Sequence, residues 1–162
     1  MRLFALILTS AVFVGAPGEA YAQRTIVEGQ LARGAFLDES AIPHSMIGAG
    51  ARFFVIPRLG IGPELIHMRG PGQDRDWALM TNATFDLRSR QGHRVIPYVM
   101  AGAGMMRHRN GTEPRFSCGC GLFVNLGVGT RILVSDRWFV APEFRIGVEP
   151  HWRVGVSVGM AR

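Results

Sequence analysis

Lysine is absent from this 162-residue chain, cysteine occurs twice, and Asp, Glu, Lys and Arg together make up only 19%. Every strongly basic side chain is therefore arginine, whose planar fork suits phosphate and carboxylate. The two cysteines, Cys118 and Cys120 in FSCGCGLF, are too few to build a structural zinc site. A disulfide across a single intervening residue is geometrically poor, so the pair reads as a loop-edge feature. Missing too are a G-x-S-x-G elbow, an H-E-x-x-H helix and a P-loop, the motifs that would announce hydrolase, metalloprotease or nucleotide chemistry. Beyond residue 23 no apolar run approaches the roughly 20 residues of a membrane-spanning helix.

What is present begins with MRLFALILTSAVFVGAPGEAYAQ, where Arg2 precedes an apolar run and small residues end in Ala20-Tyr21-Ala22. This is the pattern of a secretory signal peptide with cleavage after Ala22, leaving residues 23–162 as one exported domain. An exported chain without a second hydrophobic anchor is periplasmic, secreted or an outer-membrane barrel. The net charge is +6. That balance favours acidic lipid headgroups or anionic glycans as partners over a neutral surface.

Twenty-one glycines argue against a helical bundle and for strands and turns. Eight segments carry strand character: Thr25 to Leu37, His44 to Ile56, Leu59 to Met68, Trp77 to Arg88, Val95 to Arg107, Phe116 to Val134, Trp138 to Val148 and His151 to Ala161. Turn-forming stretches such as RGPGQDRD, SRQGH and HRNGTEP separate them. Alternation is clearest in the closing HWRVGVSVGMAR, where Trp152, Val154, Val156, Val158 and Met160 alternate with Arg153, Gly155, Ser157, Gly159 and Ala161. One face is bulky and apolar; the other is small or ionic.

Alternation alone does not say which face meets the outside. Repeated glycine on a strand marks a close approach, and a narrow closed barrel supplies one because its interior holds only some side chains. The apolar face is then expected to meet lipid. Trp77, Trp138 and Trp152 fall at strand ends on that face, the place of an interfacial aromatic girdle. A soluble periplasmic ligand-binding barrel is the alternative, and it would reverse the two faces.

The chain also repeats itself. GAGARFFVIPRLGIGPEL from Gly48 aligns without a gap to GVGTRILVSDRWFVAPEF from Gly127, with Gly50, Arg52, Arg58, Pro63 and Glu64 matching Gly129, Arg131, Arg137, Pro142 and Glu143. Two four-strand halves follow, giving eight strands by a route independent of periodicity. Together with VIPYVMAGAGMMRHR, these stretches resemble the small outer-membrane β-barrel proteins, the eight-stranded OmpA/OmpX-like group. The resemblance implies an all-β, antiparallel up-and-down transmembrane barrel in a Gram-negative cell envelope, with both termini in the periplasm and insertion by the barrel-assembly machinery. Structural, adhesive or surface-protective roles are what it implies for function. The chain departs from the pattern in ending Gly159-Met160-Ala161-Arg162, where such barrels carry a terminal aromatic.

Chemistry is expected in two places. Inside, a turn about Arg58 would set Arg52 opposite Glu64, and the repeat would set Arg131 opposite Glu143 about Arg137; buried ions persist only when paired, so these pairs are structural. By parity Asp86, Arg88, Arg145, Glu149 and Arg153 also point inward. Barrels of about eight strands fill their interiors, so a porin-like conducting channel is not expected. Outside, Arg69, Arg75, Arg107, Arg109 and Arg115 gather near the loops, where lipopolysaccharide phosphates or glycans would be met. A lipid A-modifying enzyme would need serine and histidine within reach, yet His44 and Ser45, being adjacent, point to opposite faces. The expectation is a non-enzymatic monomer without cofactor, catalytic residue, metal or nucleic-acid partner.

Overall fold

The computed structural model describes residues 25–37, 41–72, 74–109, 120–148 and 151–162. The proposed signal peptide, Arg115, Cys118 and Glu149 lie outside these, as do the side chains of Arg109 and Cys120. Eight strands follow one another: β1 (Thr25–Leu37), β2 (Ala41–Ile56), β3 (Leu59–Arg69), β4 (Arg75–Asp86), β5 (Val95–Arg109), β6 (Cys120–Leu133), β7 (Trp138–Gly147) and β8 (His151–Ala161). Each pairs antiparallel with the next, and β1 pairs with β8, closing an up-and-down barrel. Closure gives every strand two hydrogen-bonded neighbours and leaves no sheet edge.

Strand ends differ from the sequence reading where side-chain pattern and backbone pairing part company. The second strand starts at Ala41, three residues early, because Ala41 through Pro43 still pair with Leu37 through Ala35. Conversely β4 stops at Asp86, so Arg88, expected inward by parity, lies past the strand and is exposed. Parity holds only while the ladder lasts. The turns at Gly72 and Gly92 take φ of +63° and +76°, a conformation for which glycine carries no steric cost.

The two faces fall as lipid contact would require. Val27, Leu31, Leu65, Leu79, Met105, Leu126 and Ile146 stand 47–66% exposed on the outer wall. In HWRVGVSVGMAR the four residues Trp152, Val154, Val156 and Val158 point outward, while Arg153, Ser157, Gly159 and Ala161 are buried. The reversed faces of a soluble barrel are not found. Glycines on the inner face make room for neighbours: a Cβ on Gly129 would meet the Tyr98 ring at 2.5 Å, and one on Gly127 would meet Cγ of Arg145 at 2.7 Å.

Two apolar clusters divide the lumen. Near the end that carries both termini lie Ile26, Phe54, Tyr98, Met100, Phe139, Ala141 and Ala161, with Leu133 against them. Toward the far end lie Met46, Ile66, Met68, Ala78, Met80, Met106 and Phe123, flanked by Ala32 and Phe36. Charged and amide side chains occupy the layer between.

Candidate functional site

Alternation places one inward polar group on almost every strand at mid-height, and the barrel is narrow enough for these groups to touch across it. Glu64 on β3 is the hub. It accepts from Arg145 Nη1 at 2.9 Å and Arg153 Nη2 at 3.0 Å, and also from the amides of Gln30 and Asn82. Glu143 on β7 accepts from Arg145 Nη2 at 2.5 Å, from the Tyr98 hydroxyl and from Ser157 Oγ at 3.4 Å. A single guanidinium, Arg145, therefore bridges carboxylates on strands that stand four apart in an eight-strand ring. All these groups are buried.

The four residues singled out for lumen pairs, Arg52, Glu64, Arg131 and Glu143, all lie inside and buried. Their partners differ from those expected. Glu64 faces Gly50 across the β2–β3 ladder, not Arg52, and Glu143 likewise faces Gly129, not Arg131. Both ladders are centred one residue before Arg58 and Arg137, which moves each facing partner by two. Arg52 instead donates to Glu28 on β1, and Arg131 to Asp86 on β4. Arg131 also lies 4.2 Å from the centroid of the Tyr98 ring.

Glu28, Gln30, Asn82 and Tyr98 were not singled out from the sequence. Glu28 and Gln30 carry the signal that would have found them, since both share parity with the inward Ile26. The expected inward residues Asp86, Arg145 and Arg153 are where parity put them. Surface hollows lie on the outer wall, one lined by Val124, Leu126, Ile146 and Val148 and one by Leu59, Phe85, Val99 and Leu126.

At the far end the outer wall carries arginines in register. Arg33 pairs with Ser45, Ser45 with Arg69, Arg69 with Arg75, and Arg75 with Arg109, forming one row across β1 to β5. Arg33, Arg69 and Arg75 are exposed, and Arg33 is the member the sequence reading missed. One row inward along the wall, His67, Trp77 and Arg107 are consecutive partners, with the His67 and Trp77 rings 4.5 Å apart. Trp77 and Trp152 stand at this end, and Trp138 at the end with the termini; they are 49, 39 and 52% exposed. His44 is buried and Ser45 exposed, on opposite faces of β2.

The sequence matches no protein-family model and no curated protein. Solved structures do match. The N-terminal β-barrel domain of Pseudomonas aeruginosa OprF superposes with a TM-score of 0.65 at 15% identity, covering 85% of this chain and 97% of that one. Neisserial surface protein A gives 0.66 at 12% identity, covering 85% and 94%. Ail, the attachment invasion locus protein of Yersinia pestis, solved in complex with the heparin analogue sucrose octasulfate, gives 0.57 at 9% identity, covering 86% and 99%. At these identities the likeness is one of fold, and the fold is that of the small eight-stranded outer-membrane barrels.

Proposed function

We propose that this chain is an exported, monomeric outer-membrane barrel whose lumen is closed and whose role is structural or at the cell surface, without enzymatic activity. The observation that carries the reading is the division of its faces: an apolar outer wall around the whole ring, and an interior that carries an ion-pair belt between two apolar layers. A continuous apolar wall far exceeds the few hundred Å² that a soluble monomer leaves exposed. In a bilayer the same wall is satisfied by lipid, and closure satisfies the backbone. Both termini then lie in the periplasm and the row of arginines at the outer leaflet.

That row supports a contact with lipopolysaccharide phosphate. Arg69 lies directly opposite Arg75, and Arg75 directly opposite Arg109. Like charges in facing positions destabilise a sheet, and strands stand only about 4.8 Å apart, so an anion shared between forks relieves the repulsion. Arg107, one row inward on β5, extends the same basic rim.

Two measurements test the reading. The outer-membrane fraction is run in SDS with and without boiling, and the purified barrel is placed in a planar bilayer. A heat-dependent mobility shift together with an electrically silent bilayer is the expected result. Stable single-channel conductance sinks the closed lumen, and an unshifted band in the soluble periplasm sinks the membrane assignment. For the rim, Arg69→Ala with Arg75→Ala is expected to weaken lipopolysaccharide binding while leaving the mobility shift intact.

A further inference from the structure

At the far mouth of the lumen three side chains converge that the ion-pair belt does not use: His44 on β2, Asp74 in the β3–β4 turn and Asp76 on β4. We propose that they form a binding site for a divalent transition-metal ion, with zinc as the reference ion. His44 Nε2 lies 3.1 Å from Asp74 Oδ2 and 3.6 Å from Asp76 Oδ2. One ligand atom from each of the three falls within 4.8 Å of the others. Two oxygens and an imidazole nitrogen bound at about 2.1 Å to one ion stand roughly 3 to 3.4 Å apart, so the nitrogen-to-oxygen spacings are close to those of a shared ion.

The hydrogen bonding sets the imidazole for this task. Nδ1 lies 3.0 Å from the Ile42 carbonyl, which only accepts, so Nδ1 carries the proton there and Nε2 is turned to the carboxylates. A carbonyl behind the ligating ring is the usual outer-shell partner of a metal-bound histidine. A proton on Nε2 points at one of the two carboxylate oxygens, whereas an ion serves both. The His44 ring is further fixed by Phe36, edge-on at a centroid distance of 4.9 Å, which makes an apolar floor beneath the cluster.

The ligands come from β2 and from the start of β4, on either side of β3, and they meet where β3 runs out at Gly70. A Cβ on residue 70 would sit 2.5 Å from Asp74 Oδ2 and 2.6 Å from His44 Nε2. Only a residue without a side chain lets the backbone pass this close to two of the three ligand atoms. The turn holds Asp74 in place, for Gly70 N–H donates to the Asp74 carbonyl at 3.1 Å and Asp74 N–H to the Pro71 carbonyl at 3.2 Å. Imidazole with two carboxylates suits zinc, manganese or ferrous iron over calcium or magnesium.

The test is zinc titration by calorimetry on the full, untagged chain refolded in detergent free of lipopolysaccharide, alongside two variants. His44→Asn keeps an amide N–H near the Ile42 carbonyl and removes Nε2; Gly70→Ala forces Asp74 Oδ2 and the His44 ring from their places and leaves every ligand in the chain. Saturable binding of one ion per barrel is expected, weakened about 100-fold or more in both variants, the scale on which ligand shells control affinity. Each variant is first shown to be folded by its unboiled gel mobility, and Gly70→Ala carries the test if His44→Asn fails to fold. No saturable binding, or equal affinity in the parent and either folded variant, overturns the site. The closed-lumen reading is untouched by that outcome, because it is read by conductance.

Discussion

Residues 48–65 and 127–144 form two hairpins of one design, and comparing them separates what local sequence dictates from what the ring dictates. Their ladders share a register, with Gly50 facing Glu64 in the first and Gly129 facing Glu143 in the second. Both arginines that follow the glycines, Arg52 and Arg131, point inward and are buried. Yet Arg52 finds Glu28 on the adjacent strand β1, while Arg131 reaches past β5 to Asp86 on β4. The second position after the shared Pro-Glu pair differs sharply: Ile66 packs in the far apolar cluster, whereas its counterpart Arg145 joins the glutamates of both hairpins. Facing and register are local properties of a hairpin; ion partners are set by whichever strands lie across the lumen.

The asymmetry between the two glutamates predicts the largest effect. Among the described residues, Glu64→Ala removes the only ion-pair partner of Arg153 and one of two for Arg145. Glu143→Ala leaves Arg145 still paired to Glu64. Stranding buried charge costs about 3–5 kcal/mol, so Glu64→Ala is expected to lose that much and Glu143→Ala clearly less. Urea unfolding in micelles, followed by tryptophan fluorescence, measures both. Equal losses in the two variants would mean that the belt behaves symmetrically and that the bridging arginine has no special position.

A second prediction separates local from cross-lumen pairing. Arg52→Ala leaves Glu28 buried without its cation and is expected to cost about 3 kcal/mol. Adding Glu28→Ala should recover part of the loss, whereas adding Glu64→Ala should deepen it. Recovery with Glu64→Ala instead would restore the cross-hairpin pairing that a turn centred on Arg58 suggests.

The limits of reading this fold from sequence follow from the same division. Strand number, order and facing were legible because alternation and the repeat are written along the chain: Glu64 and Arg145 point inward for the same reason that Leu65 and Ile146 point outward. Register was legible only to within two residues, because alternation fixes the face a side chain takes and not the residue about which the turn is centred. Partner identity was not legible. Arg145 and Glu64 are 81 residues apart, and their contact depends on the ring closing between β1 and β8. The His44, Asp74 and Asp76 cluster was hidden likewise, since its members flank a strand whose end at Gly70 decides whether they meet.

The smallest predicted effect concerns apolar packing, where the hairpins again solve one problem differently. Phe54 faces Gly60 in the first, and Leu133 faces Phe139 in the second, so the large ring sits on opposite strands. A Cβ on Gly60 would come within 3.2 Å of the Phe54 ring and of Thr84 Oγ1. Thr84 is held by its hydrogen bond to the Gly60 carbonyl, and the Phe54 ring lies against the Arg90 and Arg131 guanidinium groups, 5.1 and 6.0 Å from its centroid. Neither neighbour is free to yield. Overpacking typically costs 1–3 kcal/mol, and replacing glycine offsets about 0.4–1 of it through the unfolded chain. Gly60→Ala is therefore expected to lose about 1 kcal/mol net. Phe54→Leu supplies the room that the second hairpin has with Leu133, so the double variant should lose less than the two singles combined, by about 0.5 kcal/mol or more. Strict additivity would show that the ring and the glycine are not matched to one another, and that the first hairpin carries its glycine for some reason other than Phe54.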